Sequence, residues 1–215
     1  MMSSLTMRNE LDGYAGELLA EQLAAEGWAV TESFLPASVV AALRAEADAL
    51  WQGGKFRQAA IGRGNDAGAR PATRGDQILW LDERSLTVAQ DAYWQAMDAL
   101  RRVLNRTLFL GLQNLEAHFA VYPPATFYHK HVDRFADADE RAISCSLYLN
   151  PDWQCDDGGW LRLYAGETPV EILPRAGTLA VFRSETIPHE VLPAVRTRFS
   201  LTGWFRRRSL RGILP

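Results

Sequence analysis

The sequence has few of the features that mark secreted, membrane-spanning or nucleic-acid-binding proteins. It has only two cysteines in 215 residues, Cys145 and Cys155, and no basic segment followed by an apolar core near its start. We therefore expect reduced thiols in a cytoplasmic protein. No apolar run approaches the roughly 20 residues of a spanning helix, so no membrane contact is expected. The formal net charge of −3 gives no general attraction for nucleic acid.

The chain does have enough apolar material for one core. Hydrophobic residues make up 47% of it, within the roughly 45–50% that is usual for globular domains. No linker or internal repeat divides it. We therefore predict a single domain over 1–215, with helical support within 11–107 and a strand-rich core over 114–206.

Helical periodicity is confined to the N-terminal half. Apolar spacing predicts three helices, over 11–26, 36–51 and 86–104. Residues 1–10 are expected to be loose, and 27–31 to form a short strand. Residues 54–72 are rich in Gly, Ala, Asn, Asp and Arg without periodicity, which is typical of either a functional flap or a disordered segment.

Short strand-like runs separated by turn signals fill the C-terminal half. They lie at 114–122, 126–133, 142–150, 159–164, 168–173, 178–183, 188–192 and 197–206. Such spacing indicates a sandwich, jelly roll or barrel. Because the helices come first, we expect them to buttress one face of the sheets. The predicted fold class is α+β.

A possible metal-binding pattern lies in one of these strands. His131 and Asp133 are two residues apart and would leave the same face of a strand, and His189 would arrive from a later strand. Two histidines and one carboxylate, with other positions open, form the facial triad of non-haem Fe(II) oxygenases. The same pattern arises easily by chance, so a non-catalytic jelly roll that binds a metal or a sugar stays open.

A carboxylate-binding group could share that space. Arg198 begins a predicted strand, and a buried guanidinium binds a carboxylate through two parallel hydrogen bonds, as the far end of 2-oxoglutarate would require. Tyr122 and Tyr148 alternate onto faces that could point inward, although core tyrosines explain them equally well. His118 is better explained as a hydrogen-bonded core histidine than as a pocket residue.

The motifs, taken in order, resemble the Fe(II)/2-oxoglutarate-dependent prolyl 4-hydroxylases. The resemblance covers roughly 70–206 and is greatest to the branch of the animal hypoxia-inducible-factor prolyl hydroxylases and their bacterial homologues. The matching motifs are Arg74-Gly75-Asp76 with Trp80, Tyr122-Pro123-Pro124, Tyr128 through Asp133, Ser146 through Asn150, Gly158-Gly159, Pro188-His189 and Arg198 through Trp204. Pro124 replaces the usual glycine of the family and stiffens that turn.

The resemblance implies a double-stranded β-helix and a role for each motif. His131, Asp133 and His189 would hold Fe(II), with 2-oxoglutarate and O2 as co-substrates and L-ascorbate as a supporting reductant. Arg198 and Tyr148 would bind the distal carboxylate of 2-oxoglutarate, with Tyr122 close to it. The implied substrate-binding residues are Arg74, Asp76, Trp80, Tyr128, Arg141 and Trp204.

The implied reaction is hydroxylation of a prolyl residue in a protein, with conversion of 2-oxoglutarate to succinate and CO2. For bacterial relatives, the resemblance points to a loop proline of a translation factor such as elongation factor Tu, and we expect a monomer. The same chemistry on a small molecule or free amino acid is the alternative. A nucleic-acid demethylase is supported only by the Arg206-Arg207-Arg208 run, and such a run is usually a solvated tail.

Overall fold

Three helices and two main antiparallel sheets make up the part of the chain that the computed structural model describes, residues 4–61, 68–69, 73–133 and 140–208. The helices are α1 (Ser4–Glu26), α2 (Ala37–Gln52) and α3 (Val88–Leu108). The strands are β1 (Trp28–Thr31), β2 (Arg57–Gln58), β3 (Ala60–Ile61), β4 (Gly68–Ala69), β5 (Gln77–Trp80), β6 (Leu112–Tyr122), β7 (Tyr128–His131), β8 (Arg141–Tyr148), β9 (Leu161–Leu163), β10 (Val170–Ile172), β11 (Leu179–Arg183), β12 (His189–Val191) and β13 (Arg198–Arg207). Among the described residues, no helix combines the length and apolar character that crossing a bilayer requires.

The three predicted helices are present, with shifted ends. The expectation that residues 1–10 are loose is wrong from Ser4 onward, because nothing between 4 and 12 interrupts a helix. In α3, the side chain of Thr87 accepts a hydrogen bond from the Gln90 backbone N–H at 3.3 Å and sets the start. The helix ends four residues later than predicted, where Phe109 adopts the left-handed conformation with φ 53°.

Part of the expected flap is paired backbone instead of open loop. Strand β2 pairs with β5, and β3 pairs with β4. The prediction of a flap without regular structure over 54–72 is therefore wrong for these strands. Their backbone N–H and C=O groups pair across short ladders. The rest of the expected flap, 62–67 and 70–72, lies outside the described residues.

The two sheets form the double-stranded β-helix that the family resemblance implied. The large sheet has the order β1-β11-β8-β13-β6-β5-β2, and the small sheet has the order β10-β9-β12-β7. Between them lies an apolar cluster that includes Ala120, Tyr148 and Phe182 of the large sheet and Leu161 and Leu163 of the small one. The functional side chains border this inter-sheet space.

Alternate residues of the large sheet face the helices instead. Phe119, Leu147 and Leu201 are fully buried in a second cluster that also contains Leu23 of α1 and Met97 of α3. The prediction that the helices buttress one face of the sheets is confirmed. Period-two alternation on β6, β8 and β13 therefore separates a structural face from a functional face.

The first two residues of the run Arg206-Arg207-Arg208 are not a solvated tail but lie in β13, whereas Arg208 follows the strand and is exposed. Arg206 forms ion pairs with Glu116 and Glu140, and Arg207 lies 3.3 Å from Glu185. Acidic residues on neighbouring segments therefore balance the charges of Arg206 and Arg207. This pairing weakens the feature that favoured a nucleic-acid substrate.

Candidate metal centre and co-substrate site

The three candidate metal ligands meet at one edge of the small sheet. His131 and His189 are direct cross-strand partners on β7 and β12. Asp133 follows β7, and its backbone N–H donates to the Ser184 carbonyl at 3.2 Å. The Asp133 carboxylate oxygens lie 3.6 Å from His131 Nε2 and 3.5 Å from His189 Nε2, and the possible ligand atoms all lie within 4.8 Å of one another. One cation can contact all three.

Both imidazoles present the same nitrogen to this space. His131 Nδ1 lies 2.7 Å from the carbonyl of His129, and His189 Nδ1 lies 3.1 Å from the carbonyl of Ile187. A carbonyl oxygen can only accept, so each Nδ1 carries the proton and each Nε2 keeps its lone pair. Such a bond on the outer nitrogen is the usual way in which proteins orient a metal-binding histidine.

The charge states also suit a metal. Burial lowers the pKa of His189 to about 4, which leaves its imidazole neutral at neutral pH. Burial alone would raise the pKa of Asp133, but the two neighbouring imidazoles and the Ser144 hydroxyl outweigh it and hold that pKa well below its usual range. An anionic carboxylate beside the neutral imidazole of His189 fits a divalent cation.

Ser144 and Ser184 support the aspartate, and sequence reasoning missed this role. The Ser144 hydroxyl donates to Asp133 Oδ2 at 2.6 Å and lies 2.9 Å from the Ser184 hydroxyl. Alternation along β8 placed Ser144 on the inward face. The local sequence around Ser144 did not show that the carboxylate of Asp133, beyond β7, would reach its hydroxyl, because that contact joins the two sheets.

A buried guanidinium lies on β13 beside two phenols. Arg198 is 2% exposed, its Nε donates to the Gly159 carbonyl at 3.0 Å, and its Cζ lies 5.0 Å from each ring centroid of Tyr122 and Tyr148. The Tyr148 hydroxyl is buried and has no hydrogen-bond partner among the described residues. Buried polar atoms are almost always paired, so this unpaired phenol next to a cation fits a carboxylate ligand.

Burial keeps both phenols protonated. It raises the pKa of Tyr122 and of Tyr148 above the usual value, and the positive charge of Arg198 opposes the shift only in part. Each tyrosine therefore offers an O–H donor to an anion at neutral pH. A guanidinium and two phenols suit the distal carboxylate of a 2-oxo diacid.

Substitution of Gly159 is expected to weaken that carboxylate site. Gly159 has φ +69°, and a Cβ there would lie 3.0 Å from Ala194 Cβ and 3.2 Å from Arg198 Cδ. Gly159→Ala should therefore displace the guanidinium and weaken 2-oxoglutarate binding about tenfold, as measured by calorimetry on Mn(II)-loaded protein. Gly166→Ala is the control, because a Cβ there meets nothing within 4 Å. Equal affinity in the two variants would contradict the prediction.

The six expected substrate-binding residues form two clusters, not one. In the first, Arg74 donates to both carboxylate oxygens of Asp76 at 2.7 and 2.6 Å, and its Cζ lies 4.3 Å from the ring centroid of Tyr128. That ring in turn stacks on His131, with centroids 3.5 Å apart. The first cluster therefore borders the metal triad.

The second cluster is aromatic. Trp80, His118 and Trp204 form a compact group, with ring centroids 4.8, 5.4 and 6.1 Å apart. The Arg141 guanidinium lies 3.5 Å from the Trp204 ring centroid and donates to Glu116 at 2.7 Å. Arg141 reaches this cluster at the point where the pairing of β8 with β13 is irregular.

His118 is buried, but the expected hydrogen bond is not found at its Nδ1. That atom has no partner among the described residues. Burial, with the positive charges of Arg74 and Arg141, lowers the pKa of His118 to about 3. The imidazole therefore stays neutral in the folded protein, whereas the unfolded chain takes up a proton below about pH 6.5.

His118→Leu is expected to reduce the acid sensitivity of the metal-free protein. Between about pH 6.5 and pH 3 the unfolded state binds the His118 proton and the folded state does not, so the free energy of unfolding falls as the pH falls. Protonation of His118 in the unfolded state lowers the free energy of unfolding by up to about 1.4 kcal/mol for each pH unit, and removing the imidazole should abolish this contribution. Urea unfolding at pH 7 and pH 4.5 measures this, with the exposed His129→Gln as control. The same loss in wild type and His118→Leu would refute it.

Comparisons with known proteins agree on one family. Residues 117–206 match the 2OG-Fe(II) oxygenase superfamily. A Caenorhabditis elegans hypoxia-inducible factor prolyl hydroxylase is 32% identical over 217 residues, which cover 92% of this chain and 29% of that protein. The chain spans less than half the length of the first curated relatives it matches.

Solved structures extend the likeness to the whole fold. A Pseudomonas putida prolyl-4-hydroxylase is 46% identical with a TM-score of 0.83, over 90% of this chain and 100% of that one. A Trichoplax adhaerens prolyl hydroxylase in complex with a hypoxia-inducible factor peptide fragment is 26% identical with a TM-score of 0.84, over 100% of this chain and 98% of that one.

Proposed function

We propose a peptidyl-prolyl hydroxylase activity for this chain, which belongs to the prolyl hydroxylase family of the 2OG-Fe(II) oxygenase superfamily. The observation that carries the proposal is the convergence of the His131, Asp133 and His189 ligand atoms within 4.8 Å in the barrel that also holds the buried Arg198. A metal triad by itself does not require a buried arginine. A triad whose co-substrate is a 2-oxo diacid does require one, to bind the distal carboxylate.

The donor set fits Fe(II) and 2-oxoglutarate. His131, Asp133 and His189 would hold the metal, and Arg198 with Tyr148 and Tyr122 would hold the distal carboxylate. When bound, ferrous iron would supply the oxidative chemistry that couples decarboxylation of 2-oxoglutarate to hydroxylation of the substrate. The chain's own groups would orient the co-substrate, with Arg198 and the two phenols at its distal carboxylate, while burial keeps the imidazole of His189 neutral.

A protein substrate is supported by the two clusters of expected substrate-binding residues. The Arg74–Asp76 pair precedes β5 and borders the metal triad through Tyr128, whereas the Trp80–His118–Trp204 group lies on β5, β6 and β13, with Trp80 37% exposed. Together they offer an extended surface, which suits a peptide better than a free amino acid. The peptide complex of the Trichoplax relative supports the same substrate class.

The remaining features of the proposal concern the setting of the reaction. We place the protein in the cytoplasm as a monomeric single domain over 1–215, with L-ascorbate as a supporting reductant. The candidate substrate is a loop proline of a translation factor such as elongation factor Tu. The resemblance of the sequence motifs to bacterial members of the family is the ground for proposing that class of target.

Peptide mass spectrometry tests the proposal. Fe(II)-loaded protein, 2-oxoglutarate and air are incubated with proline-containing loop peptides of elongation factor Tu, with the same peptides carrying alanine in place of proline, and with free proline. We expect a gain of one oxygen on the prolyl peptide, matched mole for mole by succinate. Hydroxylation of free proline alone would favour the small-molecule alternative, and no succinate with any substrate would favour a non-catalytic jelly roll.

A further inference from the structure

A stack of aromatic and cationic groups connects the segment before β5 with a metal ligand. The ring of Tyr128 lies nearly parallel to the imidazole of His131, with centroids 3.5 Å apart and planes 16° apart. The guanidinium of Arg74 packs on the same tyrosine ring at 4.3 Å. Tyr128 is therefore in contact with both Arg74 and His131.

Arg74 is held firmly at its end of the stack. Its two hydrogen bonds to Asp76 are short, at 2.7 and 2.6 Å, and Asp76 is fully buried. A planar guanidinium bound through two parallel hydrogen bonds has little rotational freedom. Its face on Tyr128 is therefore fixed by the carboxylate.

The backbone of 73–76 is also attached to β7. Arg74 and Tyr128 form an antiparallel bridge, the His129 N–H donates to the Thr73 carbonyl and the Gly75 N–H donates to the Phe127 carbonyl, each at 2.9 Å. Gly75 permits this close approach, since a Cβ there would lie 2.7 Å from Thr126 Cβ. The segment and the ligand-bearing strand therefore move together.

The stack adds a constraint on the ring of His131. The Nδ1 bond to the His129 carbonyl fixes one direction of the ring, and the ring of His189 contacts it at a tilt, with centroids 4.2 Å and planes 55° apart. Tyr128 is the ring that lies nearly parallel to it. His189 is more deeply buried and has Phe182 against it, with ring centroids 4.6 Å apart. For the less buried His131, the face of Tyr128 fixes the plane in which Nε2 points.

We propose that Tyr128, held by the Arg74–Asp76 pair, is a positioning residue for His131 and couples metal binding to the order of residues 73–76. The inference rests on the proposed function only in taking the triad as the metal site. Coupling between sites is reciprocal. A metal ion on His131 must stabilise the 73–76 segment by the same factor by which that segment favours the metal.

Co(II) titration in the absence of 2-oxoglutarate and substrate tests the first direction. Tyr128→Leu is expected to weaken Co(II) binding about fivefold to tenfold and to alter its d–d absorption bands. Tyr128→Phe keeps the ring and should bind Co(II) within about twofold of wild type. Arg74→Met leaves β7 unaltered and should shift the affinity in the same direction as Tyr128→Leu. Unchanged affinity and bands in Tyr128→Leu would overturn the proposal.

Phe127→Leu is the matched control. Phe127 lies on the ring of His129, an adjacent histidine outside the triad, with centroids 4.4 Å apart. Its loss removes a comparable aromatic contact close to β7 and should leave Co(II) affinity unchanged. Weakening equal to that of Tyr128→Leu would mean that general damage to β7 explains the effect, and the proposal would fall.

Hydrogen exchange tests the reciprocal direction. In wild type, Co(II) should slow exchange of the Gly75 and His129 amides, whose bonds join 73–76 to β7. In Tyr128→Leu that protection should be lost even at saturating Co(II), and persistence of full protection would contradict the coupling. A wild-type protein that does not bind Co(II) would refute the triad assignment itself, whereas equal binding by wild type and Tyr128→Leu refutes only this inference.

Discussion

Asp133→Ala is expected to abolish metal binding and turnover. The carboxylate is the only anionic member of the triad, and its two oxygens lie 3.6 and 3.5 Å from the two Nε2 atoms. Without it, only the two imidazoles of the triad remain, and the Ser144 hydroxyl loses its bond to the carboxylate. Because loss of outer hydrogen-bond partners alone costs about 10- to 100-fold in metal affinity, we expect loss of a ligand to cost more than about 100-fold.

Anaerobic Fe(II) calorimetry and succinate release measure this result. Asp48→Ala is the control, because Asp48 pairs with Arg44 on the exposed side of α2 and has no contact with the triad. Circular dichroism of both variants checks that the fold is kept. Near-wild-type Fe(II) affinity or retained hydroxylation in Asp133→Ala would show that another residue holds the metal.

Arg198→Lys is expected to weaken 2-oxoglutarate binding about 10- to 100-fold while leaving metal affinity unchanged. An ammonium group retains the charge but cannot form two parallel bonds to one carboxylate. It also loses the Nε bond to the Gly159 carbonyl. Charge-assisted hydrogen bonds contribute about 1.5–3 kcal/mol, and each 1.4 kcal/mol is a factor of ten in affinity.

Calorimetry with 2-oxoglutarate on Mn(II)-loaded protein separates the two effects. The control is Arg196→Lys, two residues earlier, where the guanidinium is half-exposed and pairs with Asp157 at 2.9 Å. We expect its 2-oxoglutarate affinity to match wild type. If Arg198→Lys also bound the co-substrate normally, the distal carboxylate would have to lie elsewhere.

Period-two alternation explains how much of the site could be predicted from sequence. Once β13 was assigned, Arg198 and Trp204 had to share a face, and the structure places both on the face toward the small sheet. The helical layer could be predicted in the same way. The 3.6-residue spacing of apolar residues marks the buried face of α3, and the apolar residues that alternate with the site residues mark the sheet face against which the helices pack. The local sequence pattern is sufficient to predict which side chains share a face where each face of a strand is buried against a different layer.

The features that could not be predicted depend on contacts between distant segments. The support of Asp133 by Ser144 joins two sheets, and the irregular pairing near Arg141 becomes visible only in the register of β8 against β13. The division of the substrate-side residues into two clusters is of the same kind. It follows from where β5 and β7 lie in space, which neither spacing nor composition encodes.

Strands β8 and β13 each have one face toward the site and the other toward the helices, which limits where insertions and deletions can occur in the chain. Tyr148 faces the co-substrate site while Leu147 packs in the helical layer, and Arg198 and Phe199 divide the same way. An in-frame insertion of one codon within β8 would exchange the two sets beyond it, placing the Tyr148 phenol in the helical layer and the Leu147 side chain at the carboxylate site. An insertion within β13 would likewise turn the residues after it to the opposite faces. We therefore expect indels among active homologues to fall in the connections, and to be absent from these two strands.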